Sequence, residues 1–397
     1  MAPPADPSGR IVVLGATGYT GELAVRALAD AGVRPVLAGR DAGRLGLLAA
    51  ELGGPPGPFE VALADVSDPE SLDGLLDRGD VLVTTVGPFT RWGRPALDAA
   101  IAAGAHYVDS TGEGGFIRSV FEEADEPARA AGSVLLTAFG YDYVPGNLAA
   151  ALALERARAG GSEPSSVDVG YFLTGSAGPS AVSGGTRASA FGVMGEHGHA
   201  FVDGRIVEQR PGTGVVRIAA GGLHRSGVTV AASEQFTLRR LAPTLRDVRV
   251  GLGWFGALTP AVAAASRAAD AVDPVLDRVA ERVPQLRSAA SWLGRPLLAQ
   301  LTRGSGGGPD ARQRLRTGSL VAADVRGADG GLLAHVELTG PNPYALTGDL
   351  MGWAARTLAA GGATKAGALG PAEAFGLATL RDACADLGLA ERTGRTA

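Results

Sequence analysis

Four aliphatic residues, Ile11-Val12-Val13-Leu14, run straight into Gly15-Ala16-Thr17-Gly18-Tyr19-Thr20-Gly21, and a helical pattern follows over 22–31. Strand, glycine turn and helix in this order form the setting that a phosphate-binding turn requires, because the helix start offers unpaired N–H groups and a partial positive charge. Gly15 permits the tight turn, Gly18 lets the backbone approach a pyrophosphate, and Gly21 lets the helix pack closely on the strand. Thr17, Tyr19 and Thr20 are placed to flank the phosphates. The competing reading is a glycine-rich turn with no ligand.

The second strand ends Leu37-Ala38-Gly39-Arg40-Asp41, so Gly39 stands where an acid would meet the 2′-hydroxyl of an unphosphorylated ribose. Arg40, with Arg44 one helical turn on, suits a 2′-phosphate instead, and the expected cofactor is NADP, with a solvated helix face as the alternative for Arg44. Asp41 reads as a helix N-cap. Asp65 and Val66 follow the third strand, where they line an adenine pocket or, for Asp65, cap the next helix. The fourth strand runs out through Val86, Gly87, Pro88 and Phe89, at the carboxyl edge where the nicotinamide half of a dinucleotide lies.

Short aliphatic strands alternate with helical stretches as far as residue 137, which predicts a parallel, doubly wound Rossmann-type sheet. Helices are expected over 44–52, 95–103, 116–131 and 147–159. After a Gly/Ser/Pro-rich stretch at 160–166 the pattern changes to strands at 167–173, 205–208, 215–219, 229–238, 320–325 and 333–339, an α+β unit on a mixed or antiparallel sheet. Helices at 347–359 and 371–387 are expected to return to the first domain. The fold class is thus α/β, with a Rossmann-type domain over 1–160, an inserted α+β substrate and dimerisation domain over 161–340, and C-terminal helices over 341–397.

A length of 397 residues suits this two-domain plan, and 46% hydrophobic with 5% aromatic residues describes an aliphatic core. The net charge of −5, with scattered basic residues, argues against a nucleic-acid partner. The lone Cys384 excludes an internal disulfide and a multi-cysteine zinc site. His197 and His199 flank one residue without a nearby third ligand and read as a polar loop, so no metal is expected. Residues 1–9 lack the pattern of a signal peptide, and a cytoplasmic location is expected. Residues 250–266 carry no charge, but Pro260 and small residues make them a poor spanning helix. They read as an apolar helix covering the pocket or forming a homodimer contact, with peripheral membrane contact as the alternative.

Lys365 is the only lysine, and no tyrosine stands four residues before it, which removes the tyrosine–lysine mechanism of short-chain reductases. The run Val86-Gly87-Pro88-Phe89, then Gly93 and Pro95, then His106 to Glu113, then Gly140-Tyr141-Asp142-Tyr143-Val144-Pro145 resembles the saccharopine dehydrogenase-like oxidoreductase family. Ser183-Gly184-Gly185-Thr186 and Gly367-Ala368-Leu369-Gly370-Pro371-Ala372-Glu373 resemble it too. The chain departs from the common family form at Tyr143 and Gly146-Asn147, where many relatives carry a small residue and an acidic pair. The resemblance implies a cleft between a Rossmann domain and an inserted domain, and its branch of actinobacterial trans-acting enoyl reductases implies an enoyl thioester, or a related imine or carbonyl, as substrate. Such a reduction needs a donor to steady the enolate, and Tyr141, Tyr143, Ser183 and Thr186 are the candidates, the alternatives being tyrosines packed at the interdomain hinge with satisfied hydroxyls and a plain turn at 183–186, while Asp109 and Glu113 orient a donor or cap the helix from Phe116. The alternative from another class is a catalytically idle NADP-binding sensor or scaffold.

Overall fold

A computed structural model of the chain describes residues 9–54, 57–175, 198–282 and 308–392. Its first sheet contains β1 (Ile11–Leu14), β2 (Val36–Gly39), β3 (Val61–Leu63), β4 (Val81–Thr84), β5 (His106–Asp109) and β6 (Val134–Leu136). Every residue of β1, β2 and β4 is buried, as expected for parallel strands covered on both faces, whereas Val61 and Leu63 of the edge strand β3 are exposed. The second sheet is built from β7 (Ser166–Gly175), β8 (Gly198–Val202), β9 (Arg205–Gln209), β10 (Val215–Ala220), β11 (Leu223–Val230), β12 (Asp247–Leu252), β13 (Thr317–Arg326) and β14 (Leu332–Gly340). Two short late strands, β15 (Gly367–Ala368) and β16 (Ala390–Glu391), join the first and second sheets respectively.

The first sheet has the order β15-β6-β5-β4-β1-β2-β3, parallel throughout. Strand order reverses between β1 and β4, and ligands of open α/β sheets bind in the crevice beyond the carboxyl ends at such a point. The second sheet runs β10-β11-β12-β7-β13-β14-β16 and is mixed: β12 and β7 are parallel, and the other pairs along this path are antiparallel. The helix Val144–Ala159 leaves the carboxyl edge of the first sheet, packs across β13 and β14, and leads into β7. It is buried around its whole circumference from Val144 to Leu154, so it belongs to both layers rather than to a surface.

Several elements depart from the expected boundaries for identifiable reasons. The segment expected as one strand at 229–238 is the end of β11 followed by the helix Glu234–Leu241. The uncharged stretch 250–266 is divided between the end of β12, a short 3-10 turn and the start of the helix Thr259–Arg282. A buried strand and an apolar helix share the same lack of charge, and periodicity alone does not separate them. Among the described residues no helix is long and apolar enough to cross a membrane. The expected helix 371–387 is broken at Gly376, whose φ of +81° ends Pro371–Phe375 and starts Leu377–Asp386. Ser183, Thr186 and His197 lie outside the described residues.

The helix Pro343–Ala359 closes the chain back on the first domain by packing along Tyr19–Asp30. Two small residues allow the approach: a Cβ on Gly348 would stand 2.8 Å from Leu23 Cβ, and one on Gly352 would stand 3.2 Å from Ala27 Cβ. Asn342 starts this helix by accepting the Tyr344 N–H at 2.9 Å. Gly348→Val therefore overpacks the contact behind the phosphate-binding helix and should lower unfolding stability by about 1–3 kcal/mol. Chemical denaturation measures this, and an unchanged midpoint would mean that the two helices have room to spare.

Candidate functional site

The glycine turn is fixed by what surrounds each glycine. Gly15 has φ +85°, and a Cβ on it would stand 2.9 Å from both Thr85 Oγ1 and Val86 Cγ2. A Cβ on Gly21 would stand 2.2 Å from the Gly15 carbonyl oxygen. The Gly15 and Ala16 amides donate to the Ala38 carbonyl at 2.9 and 3.2 Å, which locks the turn to the end of β2. Gly18 is the exposed N-cap of Tyr19–Asp30 and offers no side-chain cap. The first-turn amides of Tyr19, Thr20 and Gly21 have no acceptor within the helix, so this bare, glycine-lined concavity fits a pyrophosphate.

Arg40 projects from the end of β2, exposed and without an ion-pair partner among the described residues. Arg44 reaches the other way, donating to the Thr17 carbonyl at 2.8 Å and so bracing the glycine turn. Asp41 caps the helix Ala42–Leu52 by accepting the Arg44 amide. Asp65 accepts both the amide and the hydroxyl of Ser67, at 2.9 and 2.8 Å, in the turn before the short helix Pro69–Leu72. Those bonds, with the Arg40 charge nearby, hold its carboxyl below the usual range. Val66 is buried beside it. Arg40, Arg44 and Asp65 thus gather at the carboxyl ends of β2 and β3, and among the described residues Arg40 alone presents an uncommitted cation there.

At the other end, Val86 is half-buried, Gly87 and Pro88 are exposed, and Phe89 is buried against Phe116 at a centroid distance of 5.6 Å. The helix Phe89–Ala103 starts earlier than Pro95 suggests, because Glu113 reaches back across the edge to cap it. Its two carboxylate oxygens accept the Phe89 and Thr90 amides at 2.8 Å each, and the Thr90 hydroxyl at 2.7 Å. The Glu113 side chain therefore caps this helix, although Glu113 is also the N-cap residue of Gly114–Ser119, the helix that contains Phe116, to which it gives no side-chain bond.

Asp109, fully buried at the end of β5, organises the next turn. Its Oδ1 accepts the Thr111 amide at 2.9 Å and the Ala138 amide at 2.8 Å, and its carbonyl accepts the Phe139 amide at 2.7 Å. Burial pushes this carboxyl up to about 6 against the pull of those bonds. Ala138 adopts φ +56°, a left-handed conformation that costs an alanine about 1 kcal/mol, and such strain clusters at functional sites. The turn 138–143 that follows is held from the C-terminal helix as well, since the Tyr141 amide donates to Thr347 Oγ1 at 3.0 Å.

This turn brings together the site's aromatic and acidic groups. Tyr141 and Tyr143 are buried, and their hydroxyls point to the second domain, where they donate at long range to the Phe172 carbonyl (3.4 Å) and the Ala231 carbonyl (3.3 Å). Both rings meet Tyr171 edge to face at 5.4 and 5.7 Å. The Tyr171 hydroxyl donates to Glu234 Oε1 at 2.6 Å and accepts the Gly146 amide at 2.8 Å. Only a glycine fits at 146, because a Cβ would stand 2.2 Å from that hydroxyl. Burial pushes Glu234 up to about 8, with neighbouring Asp142 adding to the rise. Asp142, between the two tyrosines, places Oδ2 over Gly112, while its buried Oδ1 meets no donor among the described residues. His199 lies in β8, buried against Phe236, with Nε2 3.0 Å from the Ala232 carbonyl. Asp142, Tyr171 and Glu234 escape notice in the sequence; the available signal is an acid flanked by two aromatics in the run from Gly140 to Pro145.

The second domain also touches the phosphate-binding helix. The Tyr19 hydroxyl donates to the Pro309 carbonyl at 2.6 Å and accepts from Arg314 Nη1 at 3.0 Å, and its ring meets Tyr344 edge to face at 5.3 Å. The Tyr19 side chain is therefore a bridge between the two domains, leaving its amide to the turn.

Comparison with known proteins agrees with this layout. Residues 11–136 match the family model of the saccharopine dehydrogenase NADP binding domain. A trans-acting enoyl reductase of Mycobacterium leprae (strain TN) is 39% identical over 140 residues, 35% of this chain and 34% of that protein. Its counterpart in Mycobacterium tuberculosis (strain ATCC 25618 / H37Rv) is 38% identical over 147 residues, 36% of this chain and 35% of that protein. The match thus spans about a third of the length of these relatives. In fold, the apo saccharopine dehydrogenase (L-Glu forming) of Saccharomyces cerevisiae superposes with a TM-score of 0.63 at 16% identity, covering 97% of this chain and 99% of that one. Over residues 11–136 the chain is therefore similar to a saccharopine dehydrogenase NADP binding domain, and its fold as a whole is that of the yeast saccharopine dehydrogenase.

Proposed function

We propose that this protein is an NADPH-dependent reductase acting on an enoyl acyl thioester. The observation that carries the reading is the turn 138–143, which leaves β6 at the carboxyl edge of the parallel sheet and whose Tyr141 and Tyr143 hydroxyls reach the Phe172 and Ala231 carbonyls of the second domain. Bound NADPH supplies a hydride to the β-carbon of the substrate. Everything else falls to side chains of the chain: Gly15, Gly18 and Gly21 admit the pyrophosphate, Arg40 pairs with the 2′-phosphate, and Arg44 braces the turn from behind. Val86, Gly87, Pro88 and Phe89 border the nicotinamide half. Tyr141 and Tyr143 sit where a donor to the developing enolate is needed, and their long bonds to main-chain carbonyls are weak enough to exchange for a better acceptor. The likeness to the mycobacterial enoyl reductases over the first domain supports the thioester substrate.

Two measurements test the reading. Arg40→Ala should weaken NADPH binding roughly 10- to 100-fold, the loss of one charge-assisted pair, while leaving NADH nearly unchanged. Equal losses in a fluorescence titration would remove Arg40 from the 2′-phosphate site. Steady-state oxidation of NADPH should proceed with trans-2-enoyl thioesters and not with simple ketones or cyclic imines. Tight NADPH binding with no turnover on any of the three classes would favour a cofactor-holding sensor.

A further inference from the structure

We propose that Asp142 is the acid that delivers the proton to the α-carbon in this reduction, an assignment that rests on the enoyl reductase reading. Three geometrical features single it out. It stands on the turn 138–143 with Oδ2 directed over Gly112, at the carboxyl end of β5, where a Cβ would lie 3.5 Å from that oxygen. Its Oδ1 is buried and meets no donor among the described residues, although the residue as a whole is half-open. Finally, it does nothing for the fold that the other acids of the edge do: Asp109 ties two strands together and Glu113 caps a helix, but Asp142 caps nothing and pairs with no cation among the described residues. A buried carboxyl without a structural task destabilises the fold, which is the mark of a group retained for chemistry.

The groups that act on Asp142 are Tyr141 and Tyr143 on its own turn, Tyr171 on β7, and Glu234 at the start of its helix. All are neutral or acidic, so nothing there stabilises an anion. Burial pushes the Asp142 carboxyl up to about 7, which leaves it protonated through much of the neutral range and ready to donate. The step balances as follows. The hydride adds to the β-carbon, NADPH becomes NADP⁺, and the π electrons of the double bond move to the α-carbon and thioester oxygen. The O–H bond of Asp142 then breaks as the α C–H bond forms. Asp142 is left as a carboxylate and recovers a proton from solvent before the next turnover. Tyr141 and Tyr143 hold the enolate during the transfer and do not supply the proton.

The test uses the full chain with NADPH and a trans-2-enoyl N-acetylcysteamine thioester. Asp142→Asn keeps the shape and removes the acid, and turnover should fall roughly 100-fold or more while the Kd for NADPH stays within about twofold. Wild-type kcat should fall tenfold per pH unit above an apparent pKa near 7, and Asp142→Asn should lose that limb, whereas Tyr141→Phe and Tyr143→Phe should keep it. A second readout does not depend on turnover. Because the folded-state carboxyl lies above its ordinary value, its share of stability is present at low pH and is lost as pH rises through about 7. The melting temperature of Asp142→Asn should therefore gain on that of the wild type from pH 5 to pH 8. Turnover of Asp142→Asn within about threefold of wild type, or a pH limb or melting difference that the substitution leaves unchanged, overturns the assignment of Asp142 alone. A wild type that reduces no enoyl thioester overturns the reading on which it rests.

Discussion

The carboxylate of Asp109 is the point at which the sheet becomes a site. It lies at the end of β5 with no exposure to solvent, and it binds the amides of Thr111 on its own strand exit and Ala138 on the exit of β6. Two neighbouring parallel strands otherwise diverge where their ladder stops, and each leaves unpaired amides at the carboxyl edge. One acceptor placed between them satisfies both, and a buried amide left unpaired would cost about 1–3 kcal/mol. The same residue accepts the Phe139 amide through its carbonyl, so it sets the direction in which the chain leaves β6. The left-handed Ala138, the tyrosines and Asp142 take their positions from that exit.

The helix Val144–Ala159 carries this geometry into the second domain. Its first turn has amides that need acceptors in a place water does not reach, and the answer is a polar cluster rather than a single cap. Tyr171 accepts the Gly146 amide and passes its own proton toward Glu234. Asn147 donates to Ser233 at 3.0 Å and accepts the Thr237 hydroxyl, so the helix Glu234–Leu241 is tied to the same point. The orientation of the second sheet over the crevice thus depends on hydrogen bonds made within a few residues of the site. This is why the tyrosines bridge the two domains instead of lining one of them.

Much of this was legible in the sequence wherever local pattern and tertiary structure demand the same thing. The glycine turn is one such case: the spacing of Gly15, Gly18 and Gly21 follows from backbone contacts within one βα unit. Alternating aliphatic strands and helices likewise announce a parallel sheet. The reading fails where a residue's partner is distant in the chain. Glu113 caps a helix that starts 24 residues earlier, so Pro95 looks like the start of a helix that begins at Phe89. Nothing near Tyr19 in the chain announces that its hydroxyl bonds to Pro309 and Arg314 of the second domain. Glu234 and Tyr171 lie 63 residues apart and read as members of two separate strands until the fold joins them.

The site's acids differ because their tasks differ, and the difference can be followed from bond to bond. Glu113 has three donors and serves the start of a helix. Asp109 has two amides, which partly offset its burial, and its carboxyl rises only to about 6. Glu234 has the Tyr171 hydroxyl on one oxygen and nothing on the other among the described residues, and it rises further. Its proton is retained chiefly because its carboxyl is fully buried, and the neighbouring Asp142 adds to the rise. The series runs from a carboxylate fully used by the backbone to Asp142, used by none of it. Structural demand falls along this series from Glu113 to Asp142. An acid at its end gains nothing for folding from its proton-binding oxygen, and that oxygen is left free for a reacting carbon.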